Sequence, residues 1–488
     1  MPITVFEFPI LTAMMSNLLD LPHELLLHII DYVPFFNVVP CSFTCRTLYL
    51  LAAARRSEHH ARMMQYSDMA VGDYVHCHEL SDRPLTHPIS ALYDFFADVQ
   101  KRLYTTKLRI TGSMNLRTRR RQPADATRLA LVDSLIEDFE DELRASAYRV
   151  GRNHHFGDDI TMFYDLVQSG SSEACVTLLL HLLPNIESLE LRGTFWQNLR
   201  NPVAQAWDRF LDAEIQSMPG GVPLFSTLST LKIGSDPWTQ PGDFALVGYF
   251  LTIPSLRTIE GRNLFGTRHS WVAGESTIMS NVTKFTVECS VVDSSQFRVY
   301  LKRISALESF AYDHDGGGTR PLSLEWNPDI TLVILHQYAR TSLVRLAMTG
   351  KTSPRMRMQA LRWTEPELHL TNTLGSFEAL EFIRLEVILL AVEVEGPCSP
   401  SIDCGPYEPS VEYKALVDVL PASTKRLELV GVFTEDIALS VFRGLPQLKG
   451  VRVPTLSVIV AEGVEAFASN TRRVCKDVGI SLTSYERA

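Results

Sequence analysis

A short unit with apolar residues at positions i, i+3 and i+5 recurs along the C-terminal part of the chain, and no other feature restricts the fold as strongly. It reads Ile186-Leu189-Leu191, Leu228-Leu231-Ile233, Val282-Phe285-Val287, Leu307-Phe310-Tyr312, Leu343-Leu346-Met348, Leu380-Ile383-Leu385 and Leu448-Val451-Val453. Two further units are degenerate: Leu256-Ile259 ends on Gly261, and Leu427-Leu429 begins on Thr424. Successive middle positions are 42, 28, 26, 25, 36, 37, 44 and 24 residues apart, so the shorter steps fit one repeat and the longer ones carry insertions. In an extended segment the second and third apolar positions share a face, which makes each unit a short strand with a buried middle residue.

The segments Glu173 to Leu183, Phe244 to Leu251, Ser294 to Ile304, Val411 to Leu420 and Asp436 to Arg443 place apolar residues at helical spacing before the next unit. Helix, short turn and then strand resembles the arrangement of leucine-rich repeats, although the usual Asn or Cys position is not maintained. The resemblance implies an irregular α/β solenoid over 171–488, with parallel strands inside from about Glu187 to Pro454 and helices outside. A generic α/β domain with a parallel sheet is the alternative, since alternating helices and strands suit it too. In either case the residue between the second and third apolar positions faces away from the core. That row is Glu190, Lys232, Glu260, Thr286, Ala311, Ala347, Arg384, Glu428 and Arg452. Its polar members Glu190, Lys232, Glu260, Thr286, Arg384, Glu428 and Arg452 are the candidate target-binding residues, against the plainer reading of solubilising positions.

Residues 17–56 differ in character. Asp20 is placed to cap a helix with Pro22 in its first turn, and Leu25, Leu26, Ile29, Ile30 and Val33 follow at helical spacing up to Pro34. Asn37 is placed to cap a second helix, with Pro40 in its first turn and Phe43, Leu48, Leu50 and Leu51 behind it. Two short helices cannot close this much apolar surface among themselves, so part of it is expected to face a partner. The run LPHELLLHIIDYV followed by SFTCRTLYLLA resembles an F-box, the adaptor-binding module of cullin RING ubiquitin ligases. Leu21, Pro22, Glu24, Leu25, Leu26, Ile29 and Ile30 match its opening pattern, and Thr44, Cys45, Arg46 and Leu48 its closing one. Asn37-Val38, where the family usually has Asp-Leu, and Pro40 depart from it. The resemblance implies an all-helical module that holds a Skp-type adaptor through Leu21, Pro22, Leu25, Leu26, Ile29, Cys45 and Leu48, and through the adaptor the cullin and RING subunits.

Between these parts, 57–170 reads as a connecting region. Leu129, Val132, Ile136, Phe139 and Leu143 define an amphipathic helix with an acidic outer face at 137–142, and 113–127, bearing Arg117, Arg119, Arg120 and Arg121, reads as an exposed basic loop. The chain holds 46 Lys and Arg against 56 Asp and Glu, a net charge of −10, which disfavours general nucleic-acid binding. The first fifteen residues lack the basic start and cleavage pattern of a secretory signal, and the longest apolar run, Ala174 to Leu183, is half the length of a membrane span. Eight scattered cysteines fit reduced thiols in cytoplasm or nucleus rather than a disulfide framework.

Motifs for chemistry are incomplete. His23 and His28 are five residues apart, which separates them by about 140° around a helix and prevents joint zinc binding. Gly350-Lys351-Thr352 lacks the leading glycine of a phosphate loop, whose place is taken by Arg345. Asp313-His314-Asp315 precedes three glycines and reads as an exposed turn rather than a metal site, because neighbours in an extended segment point to alternate faces. His76-Cys77-His78, Cys398 and Cys404 lack a complete ligand set, and Cys41 and Cys45 read as small packing residues. No cofactor or metal is expected. The sequence therefore points to a non-catalytic substrate receptor of an SCF-type ubiquitin ligase, or alternatively to a repeat scaffold whose F-box is vestigial.

Overall fold

The computed structural model describes residues 18, 20–33, 38, 41–42, 44–72, 86–111, 126–153, 160–192, 225–234, 241–266, 279–314, 327–350, 373–393, 411–431, 435–462 and 469–485. The chain divides into two compact units, Met1–Glu190 with Ser217–Leu228, and Leu191–Gln216 with Ser229–Ala488. The basic loop around Arg117 to Arg121, together with Asn37, Pro40, Phe43, His76 to His78, Asp315 to Gly318, Cys398 and Cys404, lies outside the described residues.

The first unit opens on α1 (His23–Tyr32) and α2 (Arg46–Tyr66). The first begins differently from the expectation. Pro22, not Asp20, is the N-cap of α1, and its carbonyl accepts from the amides of Leu25 and Leu26 at 3.0 and 3.1 Å. Helix α2 begins at Arg46, where extended Cys45 caps it, its Sγ accepting from the Leu48 amide at 3.4 Å; Val38, Cys41 and Ser42 ahead of it are helical as well, and the expected cap Asn37 lies outside the described residues. Leu26, Ile30, Val38, Leu48 and Ala52 form the core of this helix pair, with Leu18, Leu21, Val33, Cys41, Cys45 and Leu51 packed around it. A fork from Arg55 to Asp31 (3.0 and 3.3 Å) ties the end of α1 to the middle of α2.

Next come β1 (Asp68–Gly72), α3 (Pro88–Ala97), α4 (Val99–Tyr104), β2 (Lys107–Thr111), α5 (Ala126–Asn153), α6 (Ile160–Gln168), α7 (Ser172–Leu182) and β3 (Ser188–Arg192). β1 pairs in parallel with β2, and β2 neighbours β3. These strands carry the same device as the later units: Thr105, Leu108 and Ile110 occupy i, i+3 and i+5, and all three are buried. A polar residue in first place concealed the unit in the sequence. The expected amphipathic helix is α5, broken at Phe139 (φ −138°, ψ 29°), whose ring meets Tyr93 edge-on at 5.4 Å and Phe96 at 6.0 Å. Its acidic face is partly engaged, since Asp138 accepts from the Tyr93 hydroxyl at 2.8 Å.

The second unit contains β4 (Thr230–Gly234), β5 (Gly242–Asp243), α8 (Leu246–Phe250), β6 (Thr258–Arg262), β7 (Leu264–Gly266), β8 (Lys284–Val292), α9 (Ser294–Leu301), β9 (Ser309–His314), α10 (Pro328–Ala339), β10 (Arg345–Gly350) and β11 (Phe382–Glu386). It continues with β12 (Ala391–Glu393), β13 (Val411–Tyr413), α11 (Leu416–Val419), β14 (Arg426–Val430), α12 (Glu435–Val441), α13 (Leu445–Arg452), β15 (Val458–Glu462), α14 (Ser469–Asp477) and β16 (Ser481–Tyr485). The sheet runs β4-β6-β8-β9-β10-β11-β14-β15-β16 and its pairings are parallel; β12 and β13 form a separate antiparallel pair. Helices inside the crossovers are capped as their sequence suggests: Asp293 accepts from the Ser295 amide, and Asn327 from Asp329 and Ile330 with Pro328 in the first turn. Aromatic side chains fill the middle of this core. Phe285 stacks on Phe310 at 6.1 Å, and Phe297 from α9 meets Phe310 and Tyr312 edge-on at 5.6 and 5.0 Å.

Of the nine expected middle positions, Leu189, Leu231, Ile259, Phe285, Phe310, Leu346, Ile383 and Leu427 are buried on strands, whereas Val451 is 78% exposed. Leu448, Val451 and Arg452 belong to helix α13, so the expected last unit is not a strand. The strand is β15, built on Leu456, Ile459 and Ala461, all buried. Spacing alone could not separate the two, because i and i+3 also recur on a helix. At most strand units the residue before the first position is a short polar one, a place taken by Ala306 and Ala379 at two others and by the longer Gln447 before Leu448. Asn185, Thr227, Asn281, Ser342, Ser423 and Thr455 each donate a side-chain hydrogen bond back to a carbonyl of the preceding unit: Leu103, Ile186, Pro254, Leu307, Leu380 and Ala422, at 2.6 to 3.0 Å. Turn carbonyls beside a strand entry need a donor, and a short polar side chain in this place supplies it.

Candidate functional site

The helix pair divides the seven residues assigned to adaptor binding. Leu26 and Leu48 are 1% and 2% exposed and belong to the internal core, which corrects the expectation that they face a partner. Leu21 and Cys45 are half-buried against that core, and Pro22 is exposed. Leu25 and Ile29 are 49% and 39% exposed, and Tyr32 continues their stripe at i, i+4 and i+7. Tyr49 and Leu50, early in α2, are exposed as well. Sequence reasoning left out Tyr32, Tyr49 and Leu50; the i, i+4, i+7 spacing from Leu25 was the available signal for Tyr32. Arg56 folds over the Tyr49 ring at 4.3 Å.

His59, one turn beyond Arg55 on α2, is buried and hydrogen-bonded through Nδ1 to the Tyr104 hydroxyl of α4. Burial lowers its pKa below the ordinary histidine value, with Arg62 and Arg55 adding to that and Asp31 and Glu58 opposing it.

The row expected on the sheet is present in part. Glu190, in the first unit, is half-buried and pairs with Arg109 at 2.9 Å. In the second unit Lys232, Glu260, Thr286, Ala311, Ala347, Arg384 and Glu428 stand opposite one another, strand by strand, in continuous register. Val460 of β15 then takes the place assigned to Arg452. The charged members are held in two clusters. Glu260 accepts from Lys232 (2.8 Å) and Lys284 (3.0 Å), and Glu428 from Arg426 (2.6 Å) with Arg384 at 3.9 Å. Burial alone would raise the Glu260 pKa, but the hydrogen bonds and charges of the two lysines outweigh it and hold the carboxyl below the usual range.

Asp313 and His314 are the last residues of β9 rather than a turn. They serve different environments: Asp313 accepts from the Thr349 hydroxyl at 2.7 Å and lies 3.7 Å from the Cys289 thiol, whereas His314 Nδ1 is 3.0 Å from the buried Tyr312 hydroxyl. Cys289, at φ 47°, sits where the β8–β9 register shifts. Gly350 ends β10, and its amide donates to Glu386. Among the described residues, no group of three or more His, Cys, Asp or Glu is placed to hold a metal ion, and the cysteines form no disulfide. No helix among them is long and apolar enough to cross a membrane.

The family comparison bears on the helix pair. A model of the F-box domain matches residues 18–59, which span α1 and the first two thirds of α2. No curated protein matches the chain. Residues 18–59 are an F-box domain, which supports a role in binding the adaptor of an SCF-type ubiquitin ligase.

Proposed function

We propose that the protein is the substrate-recognition subunit of an SCF-type ubiquitin ligase, acting in cytoplasm or nucleus. The F-box match together with the solvent-facing Leu25, Ile29 and Tyr32 stripe carries this reading. In it the stripe docks on a Skp-type adaptor, which brings the cullin and RING subunits. The strand units, as a leucine-rich-repeat-like array over 171–488, hold a target protein on the open face of the sheet. The chain itself is non-catalytic: it raises the local concentration of target beside a ubiquitin-charged enzyme that other subunits supply. Of the proposed target-binding residues, Glu190, Lys232, Glu260, Thr286, Arg384 and Glu428 lie on strands, and Arg452 is dropped from the sheet row.

Purification of the tagged full chain from cells tests this. Adaptor and cullin together are the expected companions, both lost when Leu25 and Ile29 are changed to Asp. Adaptor without cullin would contradict the ligase reading and leave a scaffold.

A further inference from the structure

We infer that the open face of the second unit's sheet receives an acidic peptide segment laid across the strands. This deepens the receptor reading above and rests on it. Two neighbouring in-register rows define the surface. One is the row from Lys232 to Glu428, and the other, two residues earlier on each strand, is Thr230, Thr258, Lys284, Ser309, Arg345, Phe382 and Arg426. Together they carry five cations, Lys232, Lys284, Arg345, Arg384 and Arg426, against two carboxylates, Glu260 and Glu428. Each carboxylate is shared by two cations, so each cluster keeps one uncompensated positive charge. Arg345, between the clusters, is exposed and has no ion-pair partner among the described residues. This positive surface stands on a chain of net charge −10, so composition does not account for it.

The occupant's form follows from spacing and from the far edge. Lys284, Arg345 and Arg426 lie on β8, β10 and β14, every second strand of the order β8-β9-β10-β11-β14. At about 4.8 Å per strand the cations recur every ~10 Å, which about three residues of extended chain span. Between them Ser309, Ala311 and Ala347 leave room for a backbone to approach. Two residues beyond the Lys232 row the balance reverses: Glu288, Asp313, Glu386 and Glu462 occupy the strand ends against one cation, Arg262. A nucleic acid presents phosphates on all sides and would meet that acidic edge, whereas a peptide can direct its carboxylates to one side only.

Fluorescent twelve-residue peptides with Glu at every third position, or Lys at the same positions, titrated against the full chain, test the inference. The Glu peptide is expected to bind at least tenfold more tightly at 50 mM salt and to weaken steeply at 300 mM. Lys284→Gln, Arg345→Gln and Arg426→Gln together should abolish the preference, and the three Glu replacements should reverse it. Equal binding of both peptides, indifference to the substitutions, or a single-stranded oligonucleotide of equal charge binding as tightly as the Glu peptide would overturn it. Adaptor co-purification of the same variants, expected unchanged, separates failure of this inference from failure of the receptor reading.

Discussion

The F-box helices and the strand array solve opposite surface problems. In the helix pair Arg55 forks onto Asp31 between the two helices, while Leu25, Ile29, Tyr32, Tyr49 and Leu50 stay in solvent. Across the array every strand-borne middle apolar residue is buried, and what remains outside on the second unit's sheet is a charged face whose carboxylates Glu260 and Glu428 are paired and outnumbered by cations. A surface of the first kind gains free energy by area: each fully buried aliphatic side chain contributes roughly 1.5 to 3 kcal/mol. A surface of the second kind gains little from any single exposed ion pair, of order 0.2 to 1 kcal/mol, and discriminates by charge pattern instead. In the proposed receptor reading, this difference assigns the adaptor to a surface that recognises by shape and the target to one that discriminates by charge.

The largest effect expected is in the array core. Phe310→Ala removes a ring that stacks on Phe285 and meets Phe297, and should cost about 3 to 5 kcal/mol, read by urea unfolding followed in the near-ultraviolet. Below the transition the variant should still bind adaptor, since the F-box core comprises only helix-pair residues. A stability loss under 1 kcal/mol would break the contrast between a closed array core and an open helix surface.

The strand-entry donors give a smaller and sharper test. Thr455→Val keeps the shape and removes the hydroxyl bonded to the Ala422 and Thr424 carbonyls, at an expected cost of about 1 to 2 kcal/mol. The equivalent change at Thr44, whose hydroxyl bonds the Cys41 carbonyl alone, should cost less than half as much because it leaves one carbonyl without its donor rather than two, and that one is open to water. Paired urea titrations of the two variants check the order, and equal costs would contradict it.

The smallest effect concerns pH. Burial lowers the folded pKa of His59, so the unfolded chain binds the proton more readily. The stabilising contribution of neutral His59 is therefore full above the unfolded value of about 6.5 and is lost as the pH falls through the lowered folded value. His59→Asn should flatten the stability profile between pH 7 and pH 5; a profile of unchanged slope would show that His59 does not titrate on unfolding.

How much of this was legible depended on which physical constraint wrote the residue. Burial of the strand middles was readable because apolar period 2 has few other causes, and eight such residues from Leu189 to Leu427 are buried as their pattern implies. Strand β15 was misplaced because Leu448 and Val451 satisfy i, i+3 on a helix as well, and the polar Thr455 that marks the true unit carries no hydrophobic signal. The Thr105 unit was hidden because a polar residue takes its first position. In the F-box, the motif identified the module but not which side chains face outward: Leu25 and Leu26 are neighbours of one type, and only the packing of α2 against α1 decides that Leu26 is internal. The ion-pair clusters were out of reach, because Lys284 and Arg384 come to Glu260 and Glu428 only through strand register.

The central claim is that the Leu25, Ile29 and Tyr32 stripe is the adaptor surface. A calorimetric titration of the full chain with a purified Skp-type adaptor tests it most directly, comparing wild type with Leu25→Asp and Leu26→Ala. The account predicts one-to-one binding that Leu25→Asp weakens at least tenfold, about 1.4 kcal/mol or more, without lowering stability. Leu26→Ala should instead lower the stability of the helix pair by about 2 to 5 kcal/mol and weaken binding only as far as the module unfolds. Equal affinity of wild type and Leu25→Asp would contradict the account.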